Sequence, residues 1–319
     1  MLKCKTYLKL LFLVLTGIFG TALLYLYVYS RTYPLPILNR VSLDAKIKFI
    51  RDRIDINTVD TIIVGSSIGL NNIQGNVLEK SSTKCQSVLN LSGFGLRAGE
   101  VEQLLELTTV FPNLKRLIYS AQFSDFSAPA VLKDYDSVLI KNYLTNTLDY
   151  QDSIAIMFHS FQNLSSCIQR NWNWKEKHMM NNNFTYLEFD HTGSVSLHIY
   201  GQDIIKERWD TPHTKEQDKN SYLALERIIK KAKKDNINFY FVMEPYRGFL
   251  FEKFEHVRHT MNFLEDNMRK ILLENGGRFL NLHDELHLSD HYFVDRSHLN
   301  NKGNAITSKV IGDFIDENE

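Results

Sequence analysis

The stretch Asp60-Thr-Ile-Ile-Val-Gly-Ser-Ser-Ile-Gly-Leu-Asn-Asn72 does most to restrict the folds open to this chain. Thr61 to Val64 are all β-branched, which suits a strand buried on both faces of a parallel sheet. Gly65 lets the backbone turn without a Cβ, so the run ends abruptly in Ser66 and Ser67. Open α/β sheets collect their ligands at the carboxyl ends of the strands, and that is where these hydroxyls are delivered. The block also fits a plain strand leaving into a Ser/Gly turn that caps the next helix, and taken alone it favours that plainer reading.

The far end of the chain adds a second block, Phe293-Val-Asp-Arg-Ser-His-Leu-Asn-Asn-Lys-Gly303. Asp295 stands three residues before His298, a spacing that lets the carboxylate orient the imidazole while the ring's other nitrogen takes a proton from a serine. With these two blocks the chain resembles the SGNH (GDSL-like) hydrolase superfamily, which carries Gly-x-Ser after its first strand and Asp-x-x-His near its C-terminus. The likeness runs from about Asp60 to the end with a poorly matching middle. The first block reads Gly-Ser-Ser where Gly-Asp-Ser is usual, while Asp-x-x-His-Leu-Asn-x-x-Gly is the more specific of the two.

The resemblance implies a serine hydrolase in which Ser67 is the nucleophile, His298 the base and Asp295 its orienter. It further implies an oxyanion site made by the N–H groups of Ser67 and Gly95, the latter matching the glycine of an Asn-x-x-x-x-Gly pattern that starts at Asn90. Read without the resemblance, Gly93, Gly95 and Gly99 serve turn and cap geometry equally well. Relatives place an asparagine amide after the third strand as another oxyanion donor. This chain has none there, but Gln122 and Ser124 offer an amide and a hydroxyl from nearly the same place.

The first 30 or so residues are of another kind. Leu10 to Tyr29 is an uncharged run of 20 residues, the length a helix needs to cross a bilayer core. No small-x-small cleavage site follows it, which favours a retained anchor over a signal peptide. Lys3, Lys5 and Lys9 face Arg31, Arg40, Lys46 and Lys48 across the run, so charge counting alone does not orient it. The short tail, residues 1–9, is placed in the cytoplasm, and residues 30–41, with Tyr33-Pro-Leu-Pro36, form a stiff linker. A single α/β domain outside the cytoplasm then occupies residues 42–319.

Within that domain strands and helices alternate, which predicts a three-layer α/β/α sandwich of the SGNH or flavodoxin kind around a parallel sheet of about five strands. Helices are expected over Ser42 to Arg53 with Ser42 as cap, Asn76 to Lys80, Glu100 to Val110, Lys215 to Asp235, Lys253 to Asn275 and Asn301 to Asp316. Strands are expected at Gln86 to Ser92, Arg116 to Ala121, Asn238 to Met243 and Arg278 to Leu282. Residues 127–214 match no named pattern and form an insertion or lid. There Asp149 to Gln169 has helical spacing, Phe184 to Ile199 reads as a hairpin turning at Asp190-His-Thr-Gly193, and Trp172, Trp174 and Trp209 offer rings for sugar stacking or ordinary packing.

Lys and Arg number 37 against 37 Asp and Glu, so neither a nucleic-acid footprint nor an acidic tail is indicated. Cys4, Cys85 and Cys167 form no paired framework; the last two fit buried thiols or a disulfide. His283, His287 and His291 recur every fourth residue, but the segment follows a strand and reads as a loop, so no metal is expected. Dinucleotide and phosphate-loop motifs are absent, and no cofactor is expected. Together with the anchor, the resemblance implies an esterase or O-acyltransferase, acetyl most often, acting on an envelope polysaccharide or other acylated glycan. The alternative is a non-catalytic SGNH-like accessory or glycan-binding protein that partners a membrane O-acyltransferase.

Overall fold

The computed structural model describes residues 2–32, 34–133, 135–163, 165–166, 168–169, 187–201, 204, 209–210 and 217–319. Two helices open the chain, α1 (Leu2–Thr32) and α2 (Val41–Arg53). Alternation then follows through β1 (Thr61–Gly65), α3 (Ser67–Asn72), α4 (Gly75–Ser81), β2 (Val88–Asn90), α5 (Ala98–Leu104) and β3 (Arg116–Ala121). Helices α6 (Ser137–Leu144), α7 (Tyr150–Gln162) and α8 (Lys219–Lys234) lead to β4 (Asn238–Met243). After α9 (Gly248–Lys253) and α10 (Glu255–Asn275) come β5 (Arg278–Asn281), α11 (Leu282–Leu286) and α12 (Asn301–Asn318).

The strands form one parallel sheet in the order β2-β1-β3-β4-β5. Successive residues of each strand feed two separate cores. Ile62, Val64, Leu117, Tyr119, Phe239 and Phe241 pack with α2, α5, α8 and α10 on one face. Ile63, Ile118, Tyr240 and Val242 pack with Leu78 of α4 and Ile311 and Ile315 of α12 on the other. Burial on both faces is why these strands read as unbroken apolar runs, and the result is the α/β/α sandwich expected from the sequence.

Several boundaries differ from expectation, each for a packing reason. Ser42 lies inside α2 rather than capping it; Arg40 is the N-cap, and the Ser42 hydroxyl accepts from the Phe94 N–H at 2.8 Å, tying α2 to the loop after β2. The expected helix from Glu100 to Val110 changes at Leu105 into a 3-10 helix, Leu105–Val110, whose tighter turn buries Leu105, Leu107, Thr108 and Val110. The helix expected over Lys253 to Asn275 begins at Glu255, because Lys253 ends the preceding helix and Phe254 between them is extended and packs against the larger core. Gly276 then ends α10 in the left-handed region at φ 83°.

The turn at Asp190–Gly193 is present, with the Asp190 carboxylate accepting from the N–H groups of Thr192 and Ser194 at 2.9 and 3.0 Å. No hairpin surrounds it among the described residues. Val195 N–H instead bonds Leu70 O, and Leu197 pairs in parallel with Asn300, so the segment is claimed by α3 and the start of α12. Lys46 pins the same turn from α2: its buried Nζ donates to Gly193 O and, at 2.6 Å, to Asn90 O. Burial lowers the Lys46 ammonium to about 7, against the charge of Asp190.

Trp172, Trp174, Cys167 and the start of the expected hairpin lie outside the described residues, while Cys85 is a buried free thiol. Within α1, Cys4–Val28 is long and apolar enough to cross a membrane, with a mean hydropathy of 2.1. Phe19 of that helix stacks on Phe161 of α7 at 5.2 Å.

Candidate active site

The sheet order places β2 on one side of β1 and β3 on the other, so the chain reverses its winding direction at β1. A crevice opens at such a switch point, above the carboxyl ends of the two central strands. Gly65 is required there by close approach: a Cβ on it would fall 2.1 Å from the Ser120 carbonyl of β3. Ser66 follows as the N-cap of α3, and Ser67 is the first residue of that helix.

The second block folds into a tight loop over the same crevice. Val294 N–H bonds His298 O, and Asp295 Oδ1 accepts from the N–H groups of Ser297 at 2.9 Å and His298 at 2.8 Å. Asp295 Oδ2 lies 2.9 Å from His298 Nδ1, and His298 Nε2 lies 2.9 Å from Ser67 Oγ. Burial alone would raise the Asp295 carboxyl, but the imidazole beside it and the two N–H bonds hold it well below the usual carboxylate range. An ionised Asp295 can only accept, so Nδ1 carries the proton and Nε2 is left to accept from the Ser67 hydroxyl.

Asn72 fixes the distance between the two blocks. Its Nδ2 donates to Ser297 O at 2.9 Å and its Oδ1 accepts from Leu299 N–H at 2.8 Å, so the end of α3 is bolted to the loop that carries the imidazole. Asn300 then caps α12 by accepting from the N–H groups of Lys302 and Gly303.

The resulting cleft has a volume of about 220 Å³. Gly95, Gln122 and Ser124 all line it beside Ser67, Asp295 and His298. Gly95 holds φ +63°, a left-handed conformation that a glycine adopts without strain. Gln122 Nε2 is buried with no hydrogen-bond partner among the described residues. His283, by contrast, stacks on Phe251 at 4.1 Å and His291 lies over Tyr292, so the histidines spaced by four do not converge. Among the described residues no group of three or more His, Cys, Asp or Glu side chains gathers to hold a metal ion.

Two buried acids near the cleft escaped the sequence reading. Asp125, in the 3-10 helix Phe123–Phe126 after β3, accepts from the Ser66 hydroxyl at 3.1 Å and the Gln122 N–H at 3.0 Å. Burial pushes its carboxyl up to about 7, against those bonds and the charges of His298 and Arg97. Glu244, just past β4, accepts from the Ser120 hydroxyl at 2.8 Å and sits beside Asn72; burial pushes it up to about 8. The only sequence signal for either is a carboxylate within four residues of a strand's carboxyl end.

Glu244 makes a measurable prediction. Its carboxyl is raised in the folded chain, so its contribution to stability is present at acid pH and is lost as pH rises through about 8. Glu244→Gln removes that proton uptake while Asp125 and Lys46 titrate alike in both chains. The melting temperature of the variant relative to the parent should therefore climb by several degrees from pH 5 to pH 8, up to ~3 kcal/mol. A difference that stays constant across that range would contradict a neutral, buried Glu244.

No protein-family model and no curated protein matches the sequence. Among solved structures, one from Desulfitobacterium hafniense DCB-2 named for the G-D-S-L lipolytic family is similar at TM-score 0.41 and 10% identity, covering 80% of this chain and 99% of its own. Another, from Bacteroides fragilis NCTC 9343 and carrying an acylhydrolase name, gives TM-score 0.40 and 10% identity over 83% of this chain and 89% of its own. At that distance the chemistry rests on the side chains of this chain alone.

Proposed function

We propose that the chain is a serine esterase or O-acyltransferase that cleaves a small acyl ester, acetyl in the first instance, on an envelope polysaccharide. The observation that carries this reading is the continuous hydrogen-bonded series from Asp295 through His298 to Ser67, with both links at 2.9 Å. Ser67 Oγ attacks the ester carbonyl as its proton passes to His298 Nε2, giving a tetrahedral oxyanion. That oxyanion is received by the N–H groups of Ser67 and Gly95, with Gln122 and Ser124 nearby. Collapse transfers the Nε2 proton to the leaving sugar oxygen and leaves Ser67 acylated. Water attacks the acyl-enzyme as His298 takes its proton, the acyl–Oγ bond breaks and the Nε2 proton returns to Ser67, completing an ester hydrolysis; a sugar hydroxyl in place of water completes a transfer.

The helix α1 would hold this domain on the outer side of the membrane. The absence of a small-x-small cleavage site after the apolar run supports a retained anchor. A reporter active only outside the cytoplasm, fused after Glu319, should be active and stay with the membrane fraction; activity of a cytoplasmic reporter instead would overturn the topology and the envelope substrate with it.

A second reading is favoured by one observation. The side-chain amide nearest the missing oxyanion asparagine, Gln122 Nε2, is buried rather than presented to solvent, as suits a glycan-binding partner of a membrane O-acyltransferase. Turnover of para-nitrophenyl acetate by the detergent-solubilised full chain separates the two: slow hydrolysis is expected, and none from well-folded protein would favour the accessory role.

A further inference from the structure

We propose that the cleft contains an anion subsite, in which Arg97 and Arg296 hold a carboxylate or phosphate of the acyl-bearing sugar beside the ester presented to Ser67. This deepens the esterase or transferase reading and rests on it. The two guanidiniums reach the same 220 Å³ cleft from different parts of the fold. Arg97 is the N-cap of α5, two residues past Gly95, and Arg296 sits between Asp295 and Ser297 in the loop that carries His298.

The described carboxylates nearest Arg97 are each engaged by other groups. Glu100, close to Arg97 in sequence, is taken by the Arg40 guanidinium at 2.8 Å and by the Arg97 backbone N–H at 3.0 Å. Asp295 is committed to His298 and two N–H groups. Asp125, whose carboxyl is pushed up to about 7, is bonded by Ser66 and Gln122. Arg97 forms no salt bridge among the described residues.

Arg116 and Arg247 differ from Arg97 in this respect. Arg116 is buried and engages the Glu319 carboxylate through Nε and Nη2. Arg247 is buried and engages Asp290 with two nitrogens and Asp210 with a third, while its backbone N–H bonds Arg296 O and so steadies the catalytic loop. A guanidinium on a small, partly enclosed polar cleft is instead suited to paired hydrogen bonds from a planar or tetrahedral oxyanion group.

The test compares matched esters on the full chain in detergent: mono-O-acetyl methyl glucuronoside, mono-O-acetyl glucose 6-phosphate and mono-O-acetyl methyl glucoside. At least one anionic ester should exceed the neutral one in kcat/KM by about tenfold or more, and which one does so tells carboxylate from phosphate. That preference should collapse in Arg97→Gln and, as a second variant, Arg296→Gln, and should survive in part in Arg97→Lys. A preference near one in the parent, or one unmoved by both substitutions, overturns the subsite. If no ester turns over, calorimetric binding of the same three compounds decides. Anion-selective binding lost in Arg97→Gln upholds the subsite while the esterase reading falls, and unselective or absent binding overturns the subsite too.

Discussion

Replacing Ser67 with alanine is expected to bring ester turnover down to the small residual that binding and the oxyanion donors provide, a loss on the order of 10⁶-fold for a triad nucleophile. Ser67 is the hydroxyl that faces His298 Nε2 at 2.9 Å. The adjacent Ser66 hydroxyl is occupied otherwise, donating to Asp125 and accepting from Ile68 N–H. Ser66→Ala therefore removes a bond to a buried acid and should lower turnover by about tenfold or less. Initial rates with para-nitrophenyl acetate on the two folded variants check the assignment, and the reverse ranking would shift the nucleophile by one residue.

His298→Ala should cost at least as much as Asp295→Asn, and either change added to Ser67→Ala should cost little further, because the three groups act as one unit. The asparagine case carries its own signature. Asp295 Oδ1 would still accept the N–H groups of Ser297 and His298, so the loop keeps its shape. An amide nitrogen in place of Oδ2 would donate toward Nδ1, driving the ring proton to Nε2, where it blocks acceptance from Ser67. Loss of activity in a chain that still folds is expected for Asp295→Asn, with a lower melting temperature at neutral pH because the carboxylate that His298 and the two N–H groups stabilise is gone. Retained activity in His298→Ala would remove the triad and leave only the fold.

The strands were legible because their chemistry is local. Arg116–Ala121 and Asn238–Met243 have the limits read from the sequence, since short runs rich in apolar and aromatic residues suit only buried strands in this setting. The candidate trio Ser67, Asp295 and His298 was legible only through the resemblance carried by Gly-x-Ser and Asp-x-x-His, and the sheet edge brings together what 231 positions separate.

Asp125, Glu244 and Lys46 were not legible, because a charged residue reads as solvated until its neighbours are known. Glu244 becomes a neutral acid only when β4 pairs with β3 and sets it against Ser120. Lys46 sits on what reads as an ordinary amphipathic helix, yet is buried by a turn more than 140 residues away. The breaks at Leu105 and Phe254 were hidden for the same reason: each follows from which side chains the larger core accepts, and helical spacing does not record that.

The most direct measurement is to treat the full chain with a fluorophosphonate, digest it and locate the adduct by mass spectrometry. A single phosphonylated serine at Ser67, lost in Ser67→Ala and strongly diminished in His298→Ala, is the expected result. An adduct on another serine, or none on protein shown to be folded, would contradict the Ser67–His298–Asp295 assignment.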